Sequence, residues 1–300
     1  MILSAGEILA DMIGSRRGKT VQYECFAGGA PFNVACGVAR LGGEVAFCGC
    51  VGKDEIGKFL KAYAENEKGL GGDVAVSEDR NTTLAFVTLS ESGERSFSFY
   101  RKNTADYEFD FSRVEPFVKR ADIVHVGSLM LSEAEGRAFA EKLIAVVKKA
   151  GKKVSFDVNF RDDIFPDRES AVAVYGKFID GADILKLSED EVGLFFGGED
   201  FETAVRRLGK RKKVFVTLGK RGSLFCEGDT FVKEGTIDVK VVDTTGAGDA
   251  FYAGALKLVD EGERDAGKIL RYANVCGSLT TARKGALEAI PCEEEVKKYL

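Results

Sequence analysis

Residues 243–254 read DTTGAGDAFYAG, and the fold turns on how this stretch is understood. Gly246, Ala247 and Gly248 let bare backbone N–H groups approach a ligand. Beyond them Phe251, Ala255, Leu258 and Val259 fall at i, i+4, i+7 and i+8, one apolar face of a helix. A small-residue turn opening a helix is an anion site, because unpaired N–H groups and the helix dipole both point at the ligand. Asp249 sits at that mouth, where its charge repels a phosphate. Phosphoryl transfer reconciles the two, since it needs N–H donors for the moving group and a base for the acceptor's proton. Gly246, Ala247 and Gly248 are therefore the candidate donors and Asp249 the candidate base. The helix dipole and Mg²⁺ offset its repulsion of the phosphate.

The chain around this turn has 300 residues, 45% hydrophobic and 30% charged, an ordinary globular balance. A chain this long buries roughly 75% of its unfolded surface and needs no staples. A net charge of −5 without a long basic run argues against nucleic acid. No apolar run reaches the ~18 residues of a membrane span. The opening MILSAGEILADMIG lacks a basic start and holds Glu7 and Asp11, so it reads as a first strand rather than a signal peptide. The seven cysteines show no C-x-x-C and sit mostly among apolar residues. They read as buried small hydrophobes of a reducing cytoplasm, the expected location.

Short apolar runs alternate with amphipathic stretches. Strands are expected at Ile2–Leu9, Val45–Cys50, Ile123–Val126, Val154–Val158, Ile184–Leu187 and Val214–Leu218. Helices are expected at Asn33–Leu41, Gly57–Lys68, Glu133–Lys149, Ser170–Ile179 and Glu189–Phe196. The alternation implies an α/β fold, a mostly parallel sheet covered on both faces. Residues 11–26 and 83–101 break the pattern; the second reads as a hairpin, TLAFVTLS and RSFSFYR about the turn ESGE. In it Phe97, Phe99 and Arg101 alternate with Ser96, Ser98 and Tyr100. These inserts are expected to be antiparallel strands forming a small β lid over a core of residues 1–10, 27–82 and 102–300. The alternative is that they extend the main sheet.

Several motifs are rejected. GSRRGKT (Gly14–Thr20) is one residue short of a P-loop, with Ile13 where glycine is needed, and no G-x-G-x-x-G follows the first strand. The single histidine, His125, lies inside an apolar strand, which excludes His-centred metal clusters and Ser–His catalysis. Two further glycine turns remain: AGGAPFNVA (Ala27–Ala35), with Asn33 in the first turn of a helix, and VTLGKRGS (Val216–Ser223), with Gly219 and Gly222 just past a strand.

DTTGAGDAFYAG and AGGAPFNVA together resemble the two signatures of the PfkB (ribokinase-like) carbohydrate kinases, in the right order along the whole chain. The resemblance implies a three-layer αβα core with a small β lid, and ATP with Mg²⁺ as phosphoryl donor. It makes Asp249 the catalytic base and Gly246–Gly248 the anion hole. Asp11, Gly28, Gly29 and Asn33 match sugar-contacting positions, and Thr217, Gly219, Gly222 and Asn274 fall where the nucleotide lies. SEDE replaces the family's N-x-x-E: Ser188 stands for the asparagine of the nucleotide side, and Glu191 keeps the acid tied to Mg²⁺ and phosphate. Asp243 and the Thr245 carbonyl match a monovalent-cation site, for K⁺, in some members. SFSFYRKNTAD and KLSEDE look most like fructokinases, so fructose is the expected sugar. Arg101 and Arg161 are expected at the substrate; arginine clamps carboxylates, which keeps 2-keto-3-deoxygluconate as the alternative and a nucleoside behind it. A non-catalytic binding relative is the remote alternative, since such a chain should have lost the base or the hole. No partner beyond sugar and ATP is expected, except a homodimer through the lid.

Overall fold

The computed structural model describes residues 1–89 and 95–300. Its strands are β1 (Ile2–Ala5), β2 (Leu9–Arg17), β3 (Thr20–Gly28), β4 (Val45–Gly52), β5 (Leu70–Ser77), β6 (Leu84–Leu89) and β7 (Arg95–Tyr100). They continue with β8 (Ile123–Val126), β9 (Lys153–Asp157), β10 (Ile184–Ser188), β11 (Lys213–Thr217), β12 (Ser223–Glu227) and β13 (Thr230–Glu234). The helices are α1 (Ala30–Arg40), α2 (Glu55–Asn66), α3 (Phe111–Arg120), α4 (Ala134–Lys149) and α5 (Arg168–Gly181), then α6 (Glu189–Phe196), α7 (Phe201–Gly209), α8 (Ala247–Asp260), α9 (Ala266–Thr281) and α10 (Glu293–Val296).

Nine strands form one sheet in the order β13-β12-β11-β10-β9-β8-β1-β4-β5. It is parallel from β5 to β11, and β12 and β13 turn back antiparallel. Every residue of β1, β4 and β8 is buried, which is why they read as unbroken apolar runs. One apolar layer, with α1, α8 and α9, covers one face; a second, with α4, α5 and α7, covers the other. β1 lies between β8 and β4, so the winding reverses there, and the crevice beyond its carboxyl end is where such sheets bind ligands.

The expected first strand, Ile2–Leu9, is too long. It stops at Ala5, and Leu9 already belongs to β2 of another sheet. β5, β12 and β13 were not anticipated. β5 carries Gly71, Gly72 and Asp73, poor strand formers tolerated at the sheet edge. α1 begins at Ala30, ahead of the expected Asn33, because Pro31 suits a first helical turn.

Four strands form a separate small sheet, β3-β2-β6-β7, rather than an extension of the large one. Its strands take in residues 9, 10, 27 and 28, outside the expected inserts. β2–β3 and β6–β7 pair antiparallel, but β2 and β6 pair parallel, Ala10 opposite Leu84. This corrects the purely antiparallel expectation. β2 follows β1 and β6 follows β5, two parallel strands, so both leave the core in the same direction. The expected turn at 91–94 lies outside the described residues. Among the described residues no helix is long and apolar enough to cross a membrane.

Candidate active site

Gly246 caps α8 with φ 74, a left-handed conformation that disfavours any side chain. A Cβ there would also meet the Ala286 Cα at 3.0 Å. The N–H groups of Gly246, Gly248 and Asp249 make no backbone hydrogen bond among the described residues. They face outward at the positive end of α8. Buried Asp243 steadies the turn from behind, accepting from Thr245 N at 2.8 Å and Gly285 N at 3.0 Å.

Two clefts meet at this turn. The first, about 340 Å³, is lined by Asp11, Asn33, Asn159, Arg161, Lys186 and Asp249, among others. The small sheet walls it with Leu9, Ala85 and Phe99. The second, about 660 Å³, is lined by Thr217, Gly219, Gly222, Ile237, Val239, Phe251 and Asn274, with Lys220 and Asp238 exposed at its rim. Both volumes suit small ligands. The clefts share Thr244 and Gly248, and Asp249 faces only the first. A third opening, about 870 Å³, shares only Phe99 with the first cleft and has no glycine turn.

The first cleft concentrates charge. Asn33 Nδ2 donates to Asp249 Oδ2 at 2.7 Å. Burial pushes the Asp249 carboxyl above its ordinary value, against the pull of Asn33, Lys186 and Arg161. Burial, then Asp249 and Glu288, push Asp11 up to about 7. Lys186 Nζ donates to both oxygens of Asp157, at 2.9 and 2.8 Å. Burial pulls Lys186 down, but Asp157, Glu191 and Asp249 outweigh it and keep it protonated.

The structure brings Asp11, Gly29, Asn33, Arg161, Thr245, Gly246, Gly248 and Asp249 into the first cleft. It brings Thr217, Gly219, Gly222, Ala247 and Asn274 into the second. Gly28 lines neither. A Cβ on it would fall 2.3 Å from Asp11 Oδ2, so it leaves room for that carboxylate. Arg101 lines neither as well: it is buried, Nε donating to Asp106 Oδ2 at 2.7 Å and Nη1 to Ser132 Oγ. Of the two expected arginines, only Arg161 faces the cleft, and it has no acidic partner among the described residues. Ser188 and Glu191 also stay outside both linings. Ser188 caps α6, and Glu191 accepts from Phe160 N and Ser188 N, each at 2.7 Å. His125 is buried against Ser155, its pKa pushed down to about 3 by burial, so it is a neutral core residue.

The sequence reading missed Asn159, Lys186 and Thr244. Asn159 carries φ 36, a strained backbone at the cleft wall. Lys186 did leave a signal, a lysine inside the apolar strand ILKLS.

A family model for the pfkB family carbohydrate kinases matches residues 1–292. The chain belongs to that family. This pfkB kinase is a sugar phosphotransferase and is similar along its whole length to curated plant enzymes. It is 35% identical to fructokinase-1 of Oryza sativa subsp. japonica, over 100% of this chain and 97% of the relative. The ATP-bound fructokinase of Xylella fastidiosa superposes with a TM-score of 0.91 at 32% identity, covering 99% of this chain and 97% of the other. A double-mutant fructokinase of Vibrio cholerae O395, solved with fructose, ADP and potassium, gives 0.90 at 32% identity over 100% and 97%. The fold, a large mostly parallel sheet with a small second sheet, is shared with these structures.

Proposed function

We propose that this pfkB kinase transfers the γ-phosphoryl group of ATP to fructose, giving fructose 6-phosphate. The observation that carries the reading is the meeting of two clefts at Gly248, with Asp249 on the side of the first. The first cleft holds the sugar, where Asp11 and Asn33 meet its hydroxyls. Asn33 Oδ1 is buried without a partner among the described residues and is free to accept one. The second holds the nucleotide, its apolar and backbone walls suiting a base and ribose. Asp249 takes the hydroxyl proton as the sugar oxygen attacks, and the N–H groups of Gly246 and Gly248 receive the phosphoryl oxygens.

Fructose is favoured over a sugar acid because Arg101 is consumed by Asp106, so no paired arginine clamp forms. The names of the similar enzymes support the same sugar. Glu191 keeps a lone pair on each oxygen, and its charge is felt at Lys186 and Asp157. It fits Mg²⁺ held through water, an ion that would neutralise charge on the β- and γ-phosphates. Asp243 and the Thr245 carbonyl offer hard oxygens suited to K⁺.

The small sheet acts as a lid that excludes water from the transfer. Sugar binding is expected to slow amide exchange in residues 11–26 and 83–101 more than in the core strands; unchanged exchange would leave the sheet a fixed wall. Its outer face packs Tyr23 edge-on against Phe86 (5.0 Å) and Phe86 at a tilt against Tyr100 (4.9 Å), with Tyr100 65% exposed. That stripe is the surface for a homodimer through the lid. The cysteines are all free, which agrees with a cytoplasmic place.

An ADP-release assay over fructose, 2-keto-3-deoxygluconate and nucleosides tests the function. Fructose should give the highest kcat/KM. A higher value for the sugar acid would overturn the choice of sugar, and sugar-independent ADP release would overturn the kinase assignment of the clefts.

A further inference from the structure

Lys186 stands in the middle of β10, in a segment whose neighbours on both sides, Leu185 and Leu187, are wholly buried. It is itself only 6% exposed, yet it lines the first cleft. A lysine is almost never buried this way without a counter-charge, and Asp157 supplies one with both oxygens. A buried pair of this kind is often no more stabilising than apolar residues of the same volume, so packing alone does not explain it. An ammonium has three N–H donors. Two go to Asp157, and the third has no partner among the described residues. The nitrogen lies 3.4 Å from where a Cβ on Gly248 would stand, at the residue both clefts share.

We propose that Lys186 is a catalytic residue: its ammonium contacts the γ-phosphoryl group as that group passes from the nucleotide cleft to the sugar cleft. This rests on the assignment of the clefts above. In the transfer the sugar oxygen bonds to the γ-phosphorus while the bond from that phosphorus to the bridging β–γ oxygen breaks. The electron pair of that bond leaves with ADP, and the hydroxyl proton goes to Asp249. Lys186 neither gains nor loses a proton. It offers a fixed positive charge, beside the backbone donors of Gly246 and Gly248, to oxygens that carry the charge of a loose transition state. Asp157 is a positioning residue that holds the ammonium in place when no phosphate is bound. A burial-only role would tolerate methionine once Asp157 is also neutralised, whereas a charge role would not.

The test compares Lys186→Met, the double variant Lys186→Met/Asp157→Asn, and Asp249→Asn as reference, using the sugar that the unaltered enzyme turns over fastest. Removing the lysine alone leaves a buried unpaired carboxylate and lowers thermal stability; the double variant removes that charge. The expected result is a kcat roughly 10²–10³-fold down in both lysine variants, the usual loss for one transition-state donor. ADP, which lacks the γ-phosphoryl, should still bind the double variant within about twofold of the unaltered enzyme. A double variant that is stable and recovers more than half of the kcat overturns the proposal, as does a loss of ADP affinity that matches the loss of kcat. If Asp249→Asn is itself fully active, the reading of the site fails instead, and the two failures are told apart.

Discussion

The two clefts that meet at Gly248 are built on opposite principles. The first is walled by ionisable side chains, with Lys186 buried and Asp11, Arg161 and Asp249 half-buried. The second is walled by glycines, small hydroxyls and Ile237, Val239 and Phe251, with its charged residues at the rim. On the proposed reading, the contrast follows from what each cleft recognises, the sugar in the first and the nucleotide in the second. A sugar offers only hydroxyls, and discriminating among them takes fixed donors and acceptors, whose buried partners must be satisfied. A base and ribose offer an apolar face and a few edges, so shape and backbone suffice. The cost falls on the first side, where partial burial of the carboxylates raises their pKa values.

Predictions that break or sharpen the contrast run from large to small. Asp249→Asn should lower kcat by roughly 10²–10⁴-fold and leave nucleotide affinity in place, as removal of a positioned general base does. Steady-state kinetics with calorimetric ATP binding checks it; a kcat above half of the original denies Asp249 that role. Asp11→Ala should raise the sugar KM by about 10–100-fold with little change for ATP, the worth of a hydrogen bond to a charged group. On the other side, Asn274 Nδ2 donates to the carbonyls of Glu234 (3.1 Å) and Gly235 (3.0 Å), holding the wall of the second cleft. Asn274→Ala should therefore raise the ATP KM about 3–10-fold and spare the sugar.

A prediction of a different kind, on stability and with little effect expected on either KM, concerns Glu7. Both Glu7 oxygens are buried without partners among the described residues. Burial, with Asp106 and Asp249 adding and Arg101 opposing, pushes Glu7 from 4.5 up to about 8. The folded protein thus holds a proton that the unfolded chain releases between those values, and its stability falls as pH rises through that window. Glu7→Gln should flatten the fall, raising Tm near pH 8 and changing it little near pH 4.5. Thermal melts at the two pH values decide; an equal slope in the variant would remove Glu7 from the account.

What the sequence revealed follows physical lines. β1, β4 and β8 were legible because strands buried on both faces read as apolar runs. The turn before α8 was legible because small residues beside an acid have little packing motive. The parallel seam of β2 and β6 was not, since it joins segments about 70 residues apart that carry no local mark of each other. Arg101 looked like a substrate clamp because its partner, Asp106, meets it only through the short turn at Ala105–Tyr107. Lys186 passed unnoticed because one polar residue in a short strand resembles ordinary alternation. Asn159 gave no sign, because a positive φ in a non-glycine residue is set by tertiary context.

The division of labour between the clefts is tested most directly by measuring both KM values on Asp11→Ala, Asn274→Ala and the variant carrying both. The account predicts that the first change acts on the sugar alone, the second on ATP alone, and that their effects on kcat/KM add within about 0.5 kcal/mol, as for sites that share no partner. Either single change raising both KM values to the same extent would contradict it.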